Sequence, residues 1–257
     1  MVKRRLSAAT IAAQAGGYID QASGGVVPPI QPSTTFVRDR AYVPHASGNI
    51  YARDDSDTVR VAENILAQMD AAKVALLFPN GMAAIAAVFR ALPTGATVLL
   101  QAQIYWGTTK WVREFCIRRG MVLVEADLSK PENMDKLCAS HEPDMVFIET
   151  PSNPWLRSTD IAHAVKKVHD VGGRLVVDAT AATPILTRVL DFGADIVMHS
   201  ATKGLNGHSD VLAGVLATNT PESPHWQAIL ADRHDAGAII GSFEAWLLIR
   251  SLRTLHL

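Results

Sequence analysis

The run Asp195-Ile-Val-Met-His-Ser-Ala-Thr-Lys203-Gly204 carries a lone lysine just past the end of a hydrophobic stretch, behind two hydroxyl residues. Asp178 closes the preceding apolar run, Arg174-Leu-Val-Val-Asp178. A lysine amine and a strand-end carboxylate are the pair that pyridoxal phosphate (PLP) chemistry requires. The amine forms a Schiff base with the cofactor aldehyde, and the carboxylate keeps the pyridine nitrogen protonated. Asn80-Gly81-Met82 leads a helix-like segment, where free backbone amides suit a phosphate. Ser200 and Thr202 offer hydroxyls to complete the phosphate cup.

Each piece alone also has a plainer reading. Residues 80–82 make an ordinary helix start, and Ser200 and Thr202 serve as local turn hydroxyls. Asp178 caps the next segment, and Lys203 is a surface lysine. The cofactor reading draws on their conjunction. A buried carboxylate at 178 needs a donor or takes a proton, and a pyridinium would satisfy it. A desolvated Lys203 amine near the phosphate groups would be tuned for Schiff-base formation. Ser200-Ala-Thr-Lys203 has the Ser-x-x-Lys spacing of penicillin-recognising enzymes, but their Ser-Asp-Asn and Lys-Thr-Gly partner motifs do not occur. His199, His208 and Asp210 match no metal-ligand spacing, so no metal is expected. No strand-like run leads into a glycine-rich dinucleotide fingerprint.

These residues must be held by regular elements. Apolar runs at 74–78, 97–100, 121–125, 144–149, 174–178, 195–199 and 211–217 predict strands. Helical patterns lie at 57–70, 82–92, 107–119, 131–140, 159–171 and 223–235. Strands apolar on both faces, alternating with helices, predict a mostly parallel sheet covered on both sides. The polar clusters at 80–81, 149–154, 178–184 and 200–203 all follow strand-like runs. That is the carboxyl rim where open parallel sheets do chemistry. Residues 1–50 read as an irregular arm punctuated by Gly24-Gly25, Pro28-Pro29, Pro32 and Pro44, of a length that suits wrapping a partner subunit. The α/β body spans 51–241. Residues 242–257 read as a helix without a stop signal, the start of a linker to a C-terminal domain beyond this chain.

Composition narrows the class. With 24 basic and 25 acidic residues the net charge is -1, which leaves no footprint for nucleic acid or an anionic membrane. Lys3-Arg4-Arg5 is the one sharp basic patch, and no secretory apolar core or membrane-length stretch follows it. Two cysteines, Cys116 and Cys138, make neither a disulfide framework nor a metal cluster and fit a cytoplasmic location.

Several stretches resemble the trans-sulfuration family of PLP enzymes, which includes cystathionine synthases and lyases and homoserine sulfhydrylases. They are Gly25-Val-Val-Pro-Pro-Ile30 with Ser33-Thr-Thr-Phe36, Tyr51-Ala-Arg53, Gly81-Met-Ala-Ala-Ile85, Glu149-Thr-Pro-Ser-Asn-Pro154, Asp178 to Pro184, and Gly193 to Lys203 with Gly207-His-Ser-Asp210. The resemblance implies the type I PLP-dependent transferase fold, with seven strands between helices. It implies γ-replacement or elimination on a sulfur amino acid or O-activated homoserine, of the cystathionine gamma-synthase kind first. Lyase or sulfhydrylase activity, or an inactive truncated PLP-binding protein, are the alternatives. Lys203 would hold the cofactor and move protons, and Asp178 would pair with the ring nitrogen. Tyr105 would stack on the ring and act as acid or base. Asn153 would meet the ring oxygen or the substrate carboxylate, with Thr180 near the ring. Gly81, Met82, Ser200 and Thr202 would hold the phosphate. Tyr51 and Arg53 would reach it from a neighbouring copy, implying a homodimer or homotetramer with shared sites. The chain departs from the family pattern at Ser56-Asp57, Asn80, Trp106, Gly107 and Ala181. The family's carboxylate-binding arginine belongs to the C-terminal domain, so neither Arg250 nor Arg253 takes that part.

Overall fold

A computed structural model describes residues 6–45 and 48–257. Its elements in chain order begin with α1 (Ala8–Ala13), α2 (Asp57–Asp70), β1 (Val74–Phe78), α3 (Gly81–Arg90), β2 (Thr97–Gln101) and α4 (Trp106–Arg119). Then come β3 (Val122–Ala126), α5 (Pro131–His141), β4 (Met145–Glu149), α6 (Ile161–Asp170), β5 (Arg174–Asp178) and α7 (Thr183–Leu186). The chain ends through β6 (Ile196–His199), β7 (Gly214–Thr218), α8 (Pro224–Ala236) and α9 (Ser242–Leu252). The seven strands form one sheet in the order β1-β7-β6-β5-β4-β2-β3. Only β7 runs against its neighbours.

Alternation along the strands splits the core in two. On β4, Val146 and Ile148 face one layer while Met145 and Phe147 face the other, and all four are inaccessible to solvent. Helices α2, α5, α6 and α9 cover the first face, and α3, α4 and α8 cover the second. The order of strands reverses between β2 and β4, and the helices that follow these two strands lie on opposite faces. A crevice therefore opens at their carboxyl ends, the place where such sheets bind ligands. Because β7 is antiparallel, its first residue, Gly214, lies beside Phe78 at the exit of β1, and Val215 lies beside His199 at the exit of β6.

The open edge at β1 is closed by charge. Leu77 N–H donates to Glu63 Oε1 (2.8 Å), and Leu77 C=O accepts from Arg233 Nε (2.8 Å). Arg233 Nη2 also donates to Glu63 Oε1 at 2.9 Å. One ion pair thus caps a backbone donor and acceptor that the edge would leave unpaired.

Two expectations change. Residues 1–50 are not wholly irregular: Ser7 caps α1 through Thr10 N–H (3.2 Å), and Ile11, Ala12 and Ala15 are buried in the α2-side core. The six residues Ala8–Ala13 are too few for helical periodicity to show. The 242–257 helix stops at Leu252, and Ala245, Leu248, Ile249 and Leu252 pack into the same core. It is part of the α/β body. It also fastens the arm, since Trp246 Nε1 donates to Pro28 O (3.0 Å) and Arg253 Nη2 to Val26 O (3.1 Å). The Lys3-Arg4-Arg5 patch lies outside the described residues. Among the described residues, no helix is long and apolar enough to cross a membrane.

Candidate functional site

Three strand exits meet at the carboxyl rim. Asp178 closes β5 at 5% exposure. Its Oδ1 accepts from Thr180 N–H (3.0 Å) and from the Thr180 hydroxyl (2.5 Å). Thr180 Oγ1 in turn accepts Ser200 N–H at 2.7 Å, so one hydroxyl ties the exits of β5 and β6 together. Neither bond to Asp178 uses Oδ2, which leaves that oxygen for a cationic donor.

The exit of β1 approaches the same point. Asn80 caps α3 by accepting Ala83 N–H at 2.8 Å. The amides of Gly81 and Met82 have no acceptor among the described residues, as expected for a helix start. Gly81 is required here by contact: a β-carbon on it would stand 2.8 Å from both Cβ and Oγ of Ser200 and 3.2 Å from Met198 Cε. Gly214 is required behind it, because a β-carbon there would strike the Asn80 carbonyl. Two free amides, a helix N-terminus and the Ser200 hydroxyl therefore converge in a space kept open by glycine.

At the other end of the crevice stands Glu149, 4% exposed and paired in register with Asp178. Its Oε2 accepts Tyr105 N–H (2.9 Å), and its Oε1 accepts Asn153 N–H (2.6 Å). Tyr105 precedes α4 with its ring tilted 55° against Trp106, centroids 5.8 Å apart. A β-carbon on Gly107 would lie 2.6 Å from the Tyr105 ring, so glycine admits this ring position. Trp106 is 71% exposed and packs outward, away from the apolar core.

Burial drives the electrostatics. It pushes Asp178 above the usual carboxylate range against the two Thr180 bonds and the nearby His199. Burial and then the Asp178 charge push Glu149 up to about 7, while the Tyr105 and Asn153 amides pull it down. His199 is fully buried, with Nε2 3.1 and 3.2 Å from the Asp70 carboxylate oxygens. Burial opposes its charge, but Asp70 and then Asp178 outweigh that and raise its pKa. His199 therefore answers to Asp70. His208 Nδ1 bonds Asn206 O (2.6 Å), and Asp210 accepts from Asn206 Nδ2 (2.9 Å), so the three weighed as metal ligands each have other partners.

One further expectation, a desolvated Lys203, needs revision. Thr202 donates its hydroxyl to Ala213 O (3.1 Å) and accepts Ala213 N–H (3.0 Å). These two bonds tie the turn that leaves β6 to the residue that enters β7. Lys203 lies in the turn after Ser200, its N–H on Ser200 O at 3.0 Å, and its side chain is exposed rather than desolvated. Asn153 is also exposed. Tyr51 and Arg53 sit apart from the crevice. Tyr51 pairs with Thr35, and the Arg53 guanidinium lies over the Tyr51 ring at 5.2 Å. The structure thus gathers Gly81, Met82, Ser200, Thr180 and Asp178, sets Lys203 beside them and Tyr105 and Asn153 across Glu149, and leaves Tyr51 and Arg53 outside. Glu149 itself was missed as a site residue; its signal is a lone carboxylate ending an apolar run. The set fits a phosphorylated pyridine aldehyde: amides and a hydroxyl for phosphate, a carboxylate oxygen for the ring nitrogen, and an amine for the aldehyde.

Comparison with known proteins agrees. A profile described as "Cys/Met metabolism PLP-dependent enzyme" matches residues 9–257. Cystathionine gamma-lyase of Dictyostelium discoideum is 36% identical over 242 residues, 94% of this chain and 62% of that protein. Cystathionine gamma-lyase of Saccharomyces cerevisiae is 37% identical over 256 residues, 97% of this chain and 63% of that protein. The crystal structure of cystathionine gamma synthase from Xanthomonas oryzae pv. oryzae in complex with cystathionine superimposes with a TM-score of 0.92 at 35% identity, covering 98% of this chain and 64% of that one. The chain thus spans under two thirds of the length of these relatives.

Proposed function

The chain belongs to the Cys/Met metabolism PLP-dependent enzyme family, and on that premise we propose that it performs γ-replacement or elimination on a sulfur amino acid or an O-activated homoserine. Replacement of the cystathionine gamma-synthase kind is the first form, supported by the superposition on the Xanthomonas enzyme. Elimination is the second, supported by the two gamma-lyase relatives. The observation that carries the reading is the Ser200–Thr180–Asp178 hydrogen-bond chain beside the Gly81 cradle.

Bound PLP supplies electron withdrawal from the substrate's α carbon. The residues do the rest. Gly81 and Met82 N–H groups and the Ser200 hydroxyl would hold the phosphate at the α3 N-terminus, with Thr202 beside them tying the adjoining turn to Ala213. Asp178 would hold the proton on the ring nitrogen through its free Oδ2, with Thr180 fixing the other oxygen. Lys203 Nζ would hold the aldehyde and, once displaced by the substrate amine, would be free to take the α proton and return it. Tyr105 would lie against the ring and serve as acid or base, and Asn153 would orient the ring oxygen or the substrate carboxylate. Tyr51 and Arg53 complete the phosphate site of a neighbouring copy, and a guanidinium fork suits a doubly charged group. The assembly is then a homodimer or homotetramer, and exposed Val26, Val27, Val37 and Tyr42 on the arm support subunit contact there. Two buried free thiols, Cys116 and Cys138, support a cytoplasmic setting.

The test is product analysis. The PLP-loaded chain is given O-succinylhomoserine with cysteine, and separately cystathionine. Cystathionine formation supports replacement, and 2-oxobutanoate supports elimination. Absence of both with PLP bound would reduce the chain to a cofactor-binding protein.

A further inference from the structure

Glu149 has no part in the scheme above, yet its placement is unusual. It ends β4 at the reversal of strand order, between helices that leave on opposite faces. Its own N–H donates to Gln101 Oε1 (3.2 Å), fastening β4 to the end of β2. Its two oxygens then accept one amide from each loop, Tyr105 at 2.9 Å from the β2 side and Asn153 at 2.6 Å from the β4 side. Farther along the β4-side loop, Thr159 Oγ1 also reaches Gln101 Oε1 at the end of β2 (3.5 Å), but it leaves the Tyr105 and Asn153 backbones to Glu149.

We propose that Glu149 is a positioning residue for PLP: one carboxylate fixes the Tyr105 and Asn153 backbones relative to each other and so sets the gap that receives the cofactor ring. The inference rests on the PLP reading above. Only a carboxylate of this length serves. Glutamine offers one acceptor oxygen for two donors, and aspartate is a methylene short. A second carboxylate beside buried Asp178 is a costly arrangement for packing alone. Burial and Asp178 push Glu149 up to about 7, so the two amides are what favours its charged form.

The test uses the whole chain. PLP is titrated into wild type and Glu149→Gln, following visible absorption and the induced dichroism of the bound cofactor. Backbone folding is followed by far-ultraviolet dichroism and melting. The expected result is a folded variant whose PLP dissociation constant rises about tenfold, with reduced induced dichroism, as for one lost hydrogen bond to a charged group. Wild-type affinity and dichroism in the variant, even with a lowered melting point, would overturn the proposal and leave Glu149 a stability residue. Should the variant not fold, amide exchange in wild type decides. Slow exchange at both Tyr105 and Asn153 supports the tie, and fast exchange at either overturns it. Failure of wild type itself to bind PLP would instead refute the functional reading, and this inference with it.

Discussion

Gly81→Ala tests the phosphate cradle through sterics alone. The added β-carbon would lie 2.8 Å from Ser200 Cβ and Oγ. Carbon contacts settle at about 3.5–4.0 Å, so a gap of roughly 0.7 Å or more must open. Rotating the serine moves Oγ but not Cβ, and the Ser200 backbone is held by its 2.7 Å bond to Thr180. Retreat of α3 is blocked because the Asn80 backbone already presses on Gly214. Overpacking of this kind costs about 1–3 kcal/mol. For a chain of this size that lowers Tm by about 2–4 °C per kcal/mol. The shift also turns the Gly81 and Met82 amides away from the phosphate. Losing one bond to a charged group, about 1.5–3 kcal/mol, weakens PLP binding by roughly 10- to 100-fold. Calorimetric melting and PLP titration give both numbers. Adding Ser200→Gly removes the colliding β-carbon and is expected to restore Tm but not affinity, since the Ser200 hydroxyl goes with it. A Gly81→Ala variant with wild-type Tm and PLP affinity would refute the cradle.

Thr180→Val keeps the shape and removes the hydroxyl between Ser200 N–H and Asp178; stability is expected to fall by about 1–3 kcal/mol with weaker PLP retention, and unchanged urea unfolding would contradict this. Arg233→Met strands the buried Glu63 carboxylate and the Leu77 carbonyl, at about 3–5 kcal/mol by urea unfolding, and adding Glu63→Gln is expected to recover part of the loss. Burial raises Glu63 to about 7 against Arg233 and the Leu77 amide. The folded state thus holds this proton where the unfolded chain has released it. The resulting stability is full below about pH 4.5 and is lost as pH rises through 7, up to about 3 kcal/mol. Unfolding of wild type and Glu63→Gln at pH 5 and 8 measures it, and an equal slope in both would reject the assignment.

The sheet and its exits were legible because buried strands declare themselves by composition. Val74–Phe78, Met145–Glu149 and Arg174–Asp178 match their predicted runs almost residue for residue. The rim positions of Lys203 and Asp178 were legible because both follow closely on apolar runs. The rest depended on groups that sequence does not mark. The Glu149 bonds go to backbone amides 44 and 4 residues away. The edge clamp joins Glu63 to Arg233 across 170 residues. The bonds of the Thr202 hydroxyl to Ala213 join residues 11 apart, which residue type does not mark. α1 went unseen because six residues hold less than two turns of periodicity.

The central claim is that Lys203 carries PLP, and covalent trapping tests it most directly. Wild type and Lys203→Ala are incubated with PLP, reduced with borohydride, desalted, and mapped by peptide mass. The account predicts a stoichiometric pyridoxyl label on the peptide containing Lys203, with the visible absorption of the cofactor retained before reduction and both signals lost in the variant. A folded wild type that retains no cofactor, or a label that persists undiminished in Lys203→Ala, would contradict it.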